Sequence, residues 1–222
     1  MSATVSNNLI QTELLDGVFI VKINSCENRS SLSIGMCGNL TTVLEQADRD
    51  SAVKVVLLRG CDDFFTAGSD VADFVNFPLL SLLPPARRFL DVISRTGKPI
   101  VAAVNGGAAW VGTIMMLRCD LVYAADTVIF QMPFVSLGVC TEAGTTLPLL
   151  LGHQNASELL LLCEPSTAAR AEHIGFVTAV VPYARFLKTG RPKASSEVQL
   201  SPPAYLPTMH IEEGGVYIQG AA

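Results

Sequence analysis

Three short apolar runs constrain this chain more than any other feature: residues 54–58 (Lys-Val-Val-Leu-Leu), 100–104 (Ile-Val-Ala-Ala-Val) and 121–124 (Leu-Val-Tyr-Ala). A near-continuous run of this length, bounded by glycine, proline or aspartate, reads as a strand buried on both faces. Segments of helical period separate them. Met36, Leu40, Val43, Leu44 and Ala47 recur on one helical face that ends near Asp48. Pro84 and Pro85 are expected to open a second helix, in which Phe89, Leu90 and Ile93 share a face and which Gly97-Lys98-Pro99 closes. Ahead of these, Asp16-Gly17 suits a tight hairpin turn leading into a half-buried strand at 18–23. Residues 113–118 make one or two helical turns, 128–130 and 177–181 read as strands, and 147–151, 156–162 and 167–173 read as helical. Strand and helix alternate throughout, which predicts an α/β layered fold.

The chain has 222 residues, half of them hydrophobic, enough for one sizeable core in a single domain at 1–187. From residue 188 the character changes. Pro192, Pro202, Pro203 and Pro207 interrupt a segment of little periodicity, so 188–222 is expected to be a divergent, extended or poorly ordered tail. With 16% charged residues and a net charge of -5, the chain offers no basic field for a phosphate backbone, and nucleic acid is not expected as a partner. Residues 1–8 lack the layout of a signal peptide, and no apolar run is long enough for a membrane span. The six cysteines include no C-x-x-C pair, and they read as reduced thiols serving as small hydrophobes. A soluble, cytoplasmic protein is expected. His153, His173 and His210 have no ligand spacing to the cysteines, so no metal site is expected.

Two small-residue turns carry the chemistry. The first is Phe65-Thr66-Ala67-Gly68-Ser69-Asp70, and the second follows Asn105 as Gly106-Gly107-Ala108-Ala109 and leads into a helix near Gly112. Small residues let backbone N–H groups approach a ligand oxygen, and two amides converging from such turns form an oxyanion hole. The alternative is that the small residues serve packing alone. Glu142 is the one carboxylate between Val128 and Asn155, with Val139, Leu147 and Leu149 nearby. Burial among such residues raises a carboxyl toward the working range of a general base; the alternative is that it favours the dipole of a helix beginning near Thr141. Asp70 reads as a helix N-cap and Asp120 as structural. Cys140 can line a pocket but has no adjoining cation to activate it. Trp110 reads as core, or as a wall of the site.

Taken together and in order, four blocks resemble the crotonase superfamily, the enoyl-CoA hydratase/isomerase family. They are Val55-Val56-Leu57-Leu58-Arg59-Gly60, Phe65-Thr66-Ala67-Gly68-Ser69-Asp70, Lys98-Pro99-Ile100-Val101-Ala102-Ala103-Val104-Asn105-Gly106, and Cys119-Asp120-Leu121-Val122-Tyr123-Ala124-Ala125 running into Phe130-Gln131-Met132-Pro133 and Leu137-Gly138. The resemblance covers roughly residues 9–182. It implies a spiral of β-β-α units that binds acyl-CoA thioesters and stabilises an enolate with two amides, which by position are those of Ser69 and Val111. It also implies adenine against the backbone of Thr66, Ala67 and Gly68, with Arg87, Arg88 and Lys98 available for the phosphates. No separate cofactor is implied, since coenzyme A enters with the substrate. A homotrimer or hexamer is expected. Family members normally continue with helices that cover the site and build the trimer, where this chain turns proline-rich.

The two glutamates of the hydratases fall at Ile114 and Phe134, neither of which can transfer a proton. The glycine stretch of the hydratases is changed to Trp110-Val111-Gly112. Leu137-Gly138-Val139-Cys140-Thr141-Glu142-Ala143-Gly144 instead looks like the glutamate segment of the Δ3,Δ2-enoyl-CoA isomerases, with Thr141 for proline and Ala143 for glycine. In that branch a single glutamate moves a proton from C2 to C4 of a 3-enoyl-CoA. The resemblance thus implies Glu142 as proton shuttle, with Trp110 and Phe134 along the acyl group. The alternatives are another acyl-CoA reaction with water supplied differently, or a catalytically silent acyl-CoA-binding or scaffolding member.

Overall fold

A computed structural model describes residues 9–25, 30–61, 64–69, 73, 79–139, 141, 143–183, 198–199, 208–212 and 215–219. The hairpin forms as expected: β1 (Ile10–Leu15) pairs antiparallel with β2 (Val18–Ile23). Asp16 and Gly17 both have positive φ, at 48° and 86°, as the favoured two-residue hairpin turn requires. Helix α1 (Ile34–Arg49) follows, buries the predicted Met36, Leu40, Val43, Leu44 and Ala47, and is capped by Ser33. The Asp73 carboxylate adds a second acceptor there, taking a 2.8 Å bond from the Ile34 N–H.

The rest of the core is built from a repeated unit of two strands and a helix. Strand β3 (Val55–Arg59), β4 (Phe64–Thr66) and α2 (Leu79–Arg95) form the first unit. Strand β5 (Ile100–Val104), β6 (Gly107–Ala109) and α3 (Val111–Met116) form the second. Strand β7 (Leu121–Ala125) and β8 (Ile129–Gln131) lead, through a single tight turn at Val135–Leu137, to α4 (Ala143–Leu151) in the third. After α5 (His153–Ser157) and one wide turn at Glu158–Leu162 come β9 (Ser166–Thr167), α6 (Ala168–His173) and β10 (Ala179–Val181).

Each unit deals its first strand into one sheet and its second into another. The larger sheet has the order β1-β2-β3-β5-β7-β10, parallel from β2 onward; the smaller has the order β4-β6-β8-β9. This is the expected spiral of β-β-α units. Alternation along the central strands explains their uniform hydrophobicity. Val56, Leu58, Ala102, Val104, Val122 and Ala124 face the main core with α1 and α2, while Val55, Leu57, Val101 and Tyr123 form a second buried cluster on the other side.

Three expectations change. Helix α2 begins at Leu79 rather than at the prolines, so Pro84 and Pro85 lie inside it; what holds it is tertiary packing, with Phe89, Leu90 and Ile93 buried and the helix against α1. In the tail, the described residues are extended, as one of the two expectations had it, and they add a pairing that was not expected: β11 (Val198–Gln199), β12 (Thr208–Glu212) and β13 (Gly215–Gln219) form an antiparallel sheet. Cys37, Cys119 and Cys163 are free, but Cys61 is disulfide-bonded, so the thiols are not uniformly reduced. Among the described residues no helix is long and apolar enough to cross a membrane.

Candidate active site

The first turn leaves the end of β4. Of the residues expected as the second turn, Gly107, Ala108 and Ala109 form β6 itself, the parallel neighbour of β4, and the chain turns into α3 at Trp110. The second turn is therefore the segment from β6 to α3, and it touches the first. Gly68 has φ +91°, and a Cβ there would lie 2.5 Å from the Trp110 Cβ and 2.7 Å from the Ala109 carbonyl oxygen. A Cβ on Gly112 would lie 2.2 Å from Thr66 Cγ2. Only glycine at both positions lets the turns approach this closely.

Local hydrogen bonds fix the first turn. Thr66 is fully buried, and its hydroxyl donates to the Ser30 carbonyl at 2.6 Å while accepting from the Gly68 N–H at 3.0 Å. The Gly68 carbonyl accepts from Leu32 N–H at 2.6 Å, which ties the turn to the segment before α1. The Ser69 amide is left out of this network and has no acceptor among the described residues. The second turn is held by Asn105, whose buried side-chain amide donates to the Cys61 carbonyl at the end of β3. Val111 opens α3, so its N–H is one of the helix's unpartnered first donors. Trp110 immediately before it has φ 52° and ψ -125°, a conformation that favours glycine. Its N–H donates to Gln131 O at 3.1 Å, and its carbonyl accepts from Thr113 Oγ1 at 2.5 Å.

The far wall is apolar. Ile114 and Phe134 are each 2% exposed, and the Phe134 ring lies 5.7 Å from the indole of half-buried Trp110 at 57°. Glu142, Asp70 and Cys140 lie outside the described residues; α4 starts at Ala143, and Thr141 before it is half-buried. The two turns are thus in contact, and neither buried Ile114 nor buried Phe134 carries a proton-transfer group.

A family model described as enoyl-CoA hydratase/isomerase matches residues 13–209. The chain belongs to that family. It is 32% identical over 190 residues to 2,3-dehydroadipyl-CoA hydratase of Escherichia coli K12, covering 84% of this chain and 74% of the relative. It is 27% identical over 198 residues to human enoyl-CoA delta isomerase 2, covering 85% of this chain and 50% of that protein. Among solved structures, an enoyl-CoA hydratase/carnithine racemase from Magnetospirillum magneticum aligns with a TM-score of 0.77 at 35% identity, covering 85% of this chain and 73% of that one. The expected crotonase fold is thereby shown.

Against the family's pattern, the structure brings Thr66, Ala67, Gly68, Ser69, Trp110, Val111 and Phe134 together and sets the basic residues apart. Lys98 donates to the Ala47 and Asp50 carbonyls at the end of α1, and Arg88 pairs with Glu45 at 3.3 Å. Both are fold contacts with the C-terminal part of α1, whereas the first turn is tied to Leu32 at the other end of that helix. The Thr66 hydroxyl is likewise spent inside the fold, which leaves half-buried Ala67 as the accessible member of its trio. Asp120 is structural, accepting from Ile100 N–H at 2.7 Å. The free thiols are poor nucleophiles where burial governs them. Desolvation, with a smaller contribution from Asp73, pushes Cys37 up to about 12, and burial with Asp120 nearby also raises Cys119. Thr66 and Asn105 were named from the sequence, Thr66 as part of the adenine site and Asn105 at the head of the second turn, but not as the side chains that hold the turns. The Thr-x-Gly spacing, in which a hydroxyl accepts from the amide two residues on, was the available signal for the first.

Proposed function

We propose that this enoyl-CoA hydratase/isomerase family member shifts the double bond of a 3-enoyl-CoA to the 2-position. The contact of the two turns, with Ile114 and Phe134 buried beside them, carries the reading. The Ser69 and Val111 amides hold the thioester oxygen, so that charge arriving there as C2 loses its proton is met by two fixed donors. One such donor is worth roughly 100- to 1000-fold in rate. Glu142 takes the C2 proton as a carboxylate, the electron pair delocalises onto the oxygen, and the same proton returns to C4 as the enolate collapses. Bonds and charge balance with one base and no water. The buried wall supports isomerisation over hydration, because neither Ile114 nor Phe134 can orient or deprotonate water.

The test is an ultraviolet assay for conversion of 3-enoyl-CoA to 2-enoyl-CoA, run beside one for hydration of 2-enoyl-CoA. Glu142→Gln is expected to abolish the first conversion while acyl-CoA binding persists. Turnover unchanged in that variant, or hydration as the sole activity, overturns the assignment.

A further inference from the structure

The residue that joins the second turn to α3 is more than a linker. Trp110 holds φ 52° and ψ -125°, a conformation costly for a bulky side chain, where glycine would be relaxed. Strain of this kind persists only where the surroundings enforce it, and it marks a side chain held where its position has a use. The side chain leaves the backbone against Gly68, 2.5 Å from where a Cβ of that glycine would be, and its indole ends 5.7 Å from the Phe134 ring. It therefore bridges the first turn and the far wall. Trp110 packs against the main core, in which Ile114 is 2% exposed, Met115 0% and Phe130 2%.

An acyl group whose thioester oxygen is held by Ser69 and Val111 begins at this bridge, because Val111 adjoins Trp110 in the chain and Ser69 adjoins Gly68. We propose that Trp110 is the specificity-determining residue of the site and that it limits the substrate to short-chain acyl-CoA thioesters. The few carbons next to the thioester lie against the indole face, and a longer chain meets the indole and the core that it packs against. This rests on the acyl-CoA reading given above.

Trp110 is the only tryptophan in the chain, so its emission reports on this position directly. Titration of the whole protein with butyryl-CoA, octanoyl-CoA and free coenzyme A is the experiment, with calorimetry for variants that lack the indole. Butyryl-CoA is expected to change the emission where free coenzyme A does not, and to bind at least about tenfold more tightly than octanoyl-CoA, as pocket-size discrimination typically gives. Trp110→Gly, which also suits the backbone, is expected to shrink that ratio by about tenfold or more. Trp110→Phe is expected to fall between, and it decides the matter if the glycine variant does not fold. Equal affinity for the two esters in the wild type, or an unchanged ratio in the folded variants, overturns the proposal. Turnover of 3-butenoyl-CoA is scored separately. Discrimination without turnover removes the isomerase reading and leaves this one standing, and turnover without discrimination does the reverse.

Discussion

Replacing Gly68 with alanine tests whether the two turns act as one device. The new methyl carbon would stand 2.5 Å from Trp110 Cβ and 2.7 Å from Ala109 O, against about 3.5–4.0 Å for comfortable carbon contacts. The turns must separate by about 1 Å to admit it. Overpacking of this kind costs about 1–3 kcal/mol, and a side chain held at φ +91° adds about 1–2 kcal/mol. The sum, about 2–5 kcal/mol, leaves a domain of ordinary stability folded at room temperature. The catalytic penalty is sharper, since misplacing a positioned group by about 1 Å costs roughly 100-fold. Gly175→Ala is the control: its φ is +82°, yet nothing lies within 4 Å of the added carbon. It should lose about 1–2 kcal/mol from the backbone alone and keep its turnover. Urea unfolding of both variants, followed by the 3-enoyl-CoA assay on the folded fraction, separates the two effects. If Gly68→Ala keeps turnover within about threefold of the control, the Ser69 and Val111 amides do not act as a spaced pair, and the reasoning fails.

Thr66→Val keeps the shape of a fully buried side chain but strands the Gly68 N–H and the Ser30 carbonyl, at about 1–3 kcal/mol for each unpaired group. Thr66→Ser should recover most of that loss in urea unfolding, and a valine variant as stable as wild type would show that the hydroxyl is not what holds the turn. Stability should fall with alkali. Cys37, ordinarily at 9.0 and held at about 12 by burial, keeps its proton in the folded chain while the unfolded chain releases it, so its contribution is intact below pH 9 and declines by about 1.4 kcal/mol per pH unit up to about 12. Cys37→Ala should flatten that decline in unfolding midpoints taken from pH 8 to 11, and an unaltered slope refutes the assignment. Self-association is expected through exposed apolar side chains of the turn at 135–137 and the wide turn at 158–162, which touch, and of α4: Val135 and Leu137, Leu161 and Leu162, and Leu149 and Leu150, all of them more than half exposed. Light scattering should show an oligomer that Leu149→Glu with Leu161→Glu reduces to single chains; a wild type that is already a single chain removes this expectation.

How much of this was legible in the sequence follows from what each residue's role depends on. Central strands were legible because a parallel strand covered on both faces needs apolar residues at every position, and Val55, Val56, Leu57 and Leu58 meet that need with no knowledge of their neighbours. The short strands of the second sheet were not legible in the same way. Gly107-Ala108-Ala109 has no strand propensity of its own and becomes β6 only because β4 and β8 supply partners on either side, with the Phe64 ring lying where a side chain on Gly107 would be. The start of α2 was misplaced for a related reason: a proline pair is a strong local signal, but the helix draws its stability from residues beyond that window. Ser69 and Val111 could be named from motif order, since an amide needs no particular side chain. Trp110 could be named but not understood, because strain is a property of a backbone angle and leaves no trace in composition. The sequence shows a bulky residue where the family's hydratases carry glycine; the angle shows that the chain bears a cost to keep it there. Held at such an angle and reaching from the second turn across Gly68 to Phe134, Trp110 fills a gap that glycine would leave open while relaxing the backbone, so the strain is the cost of closing that gap.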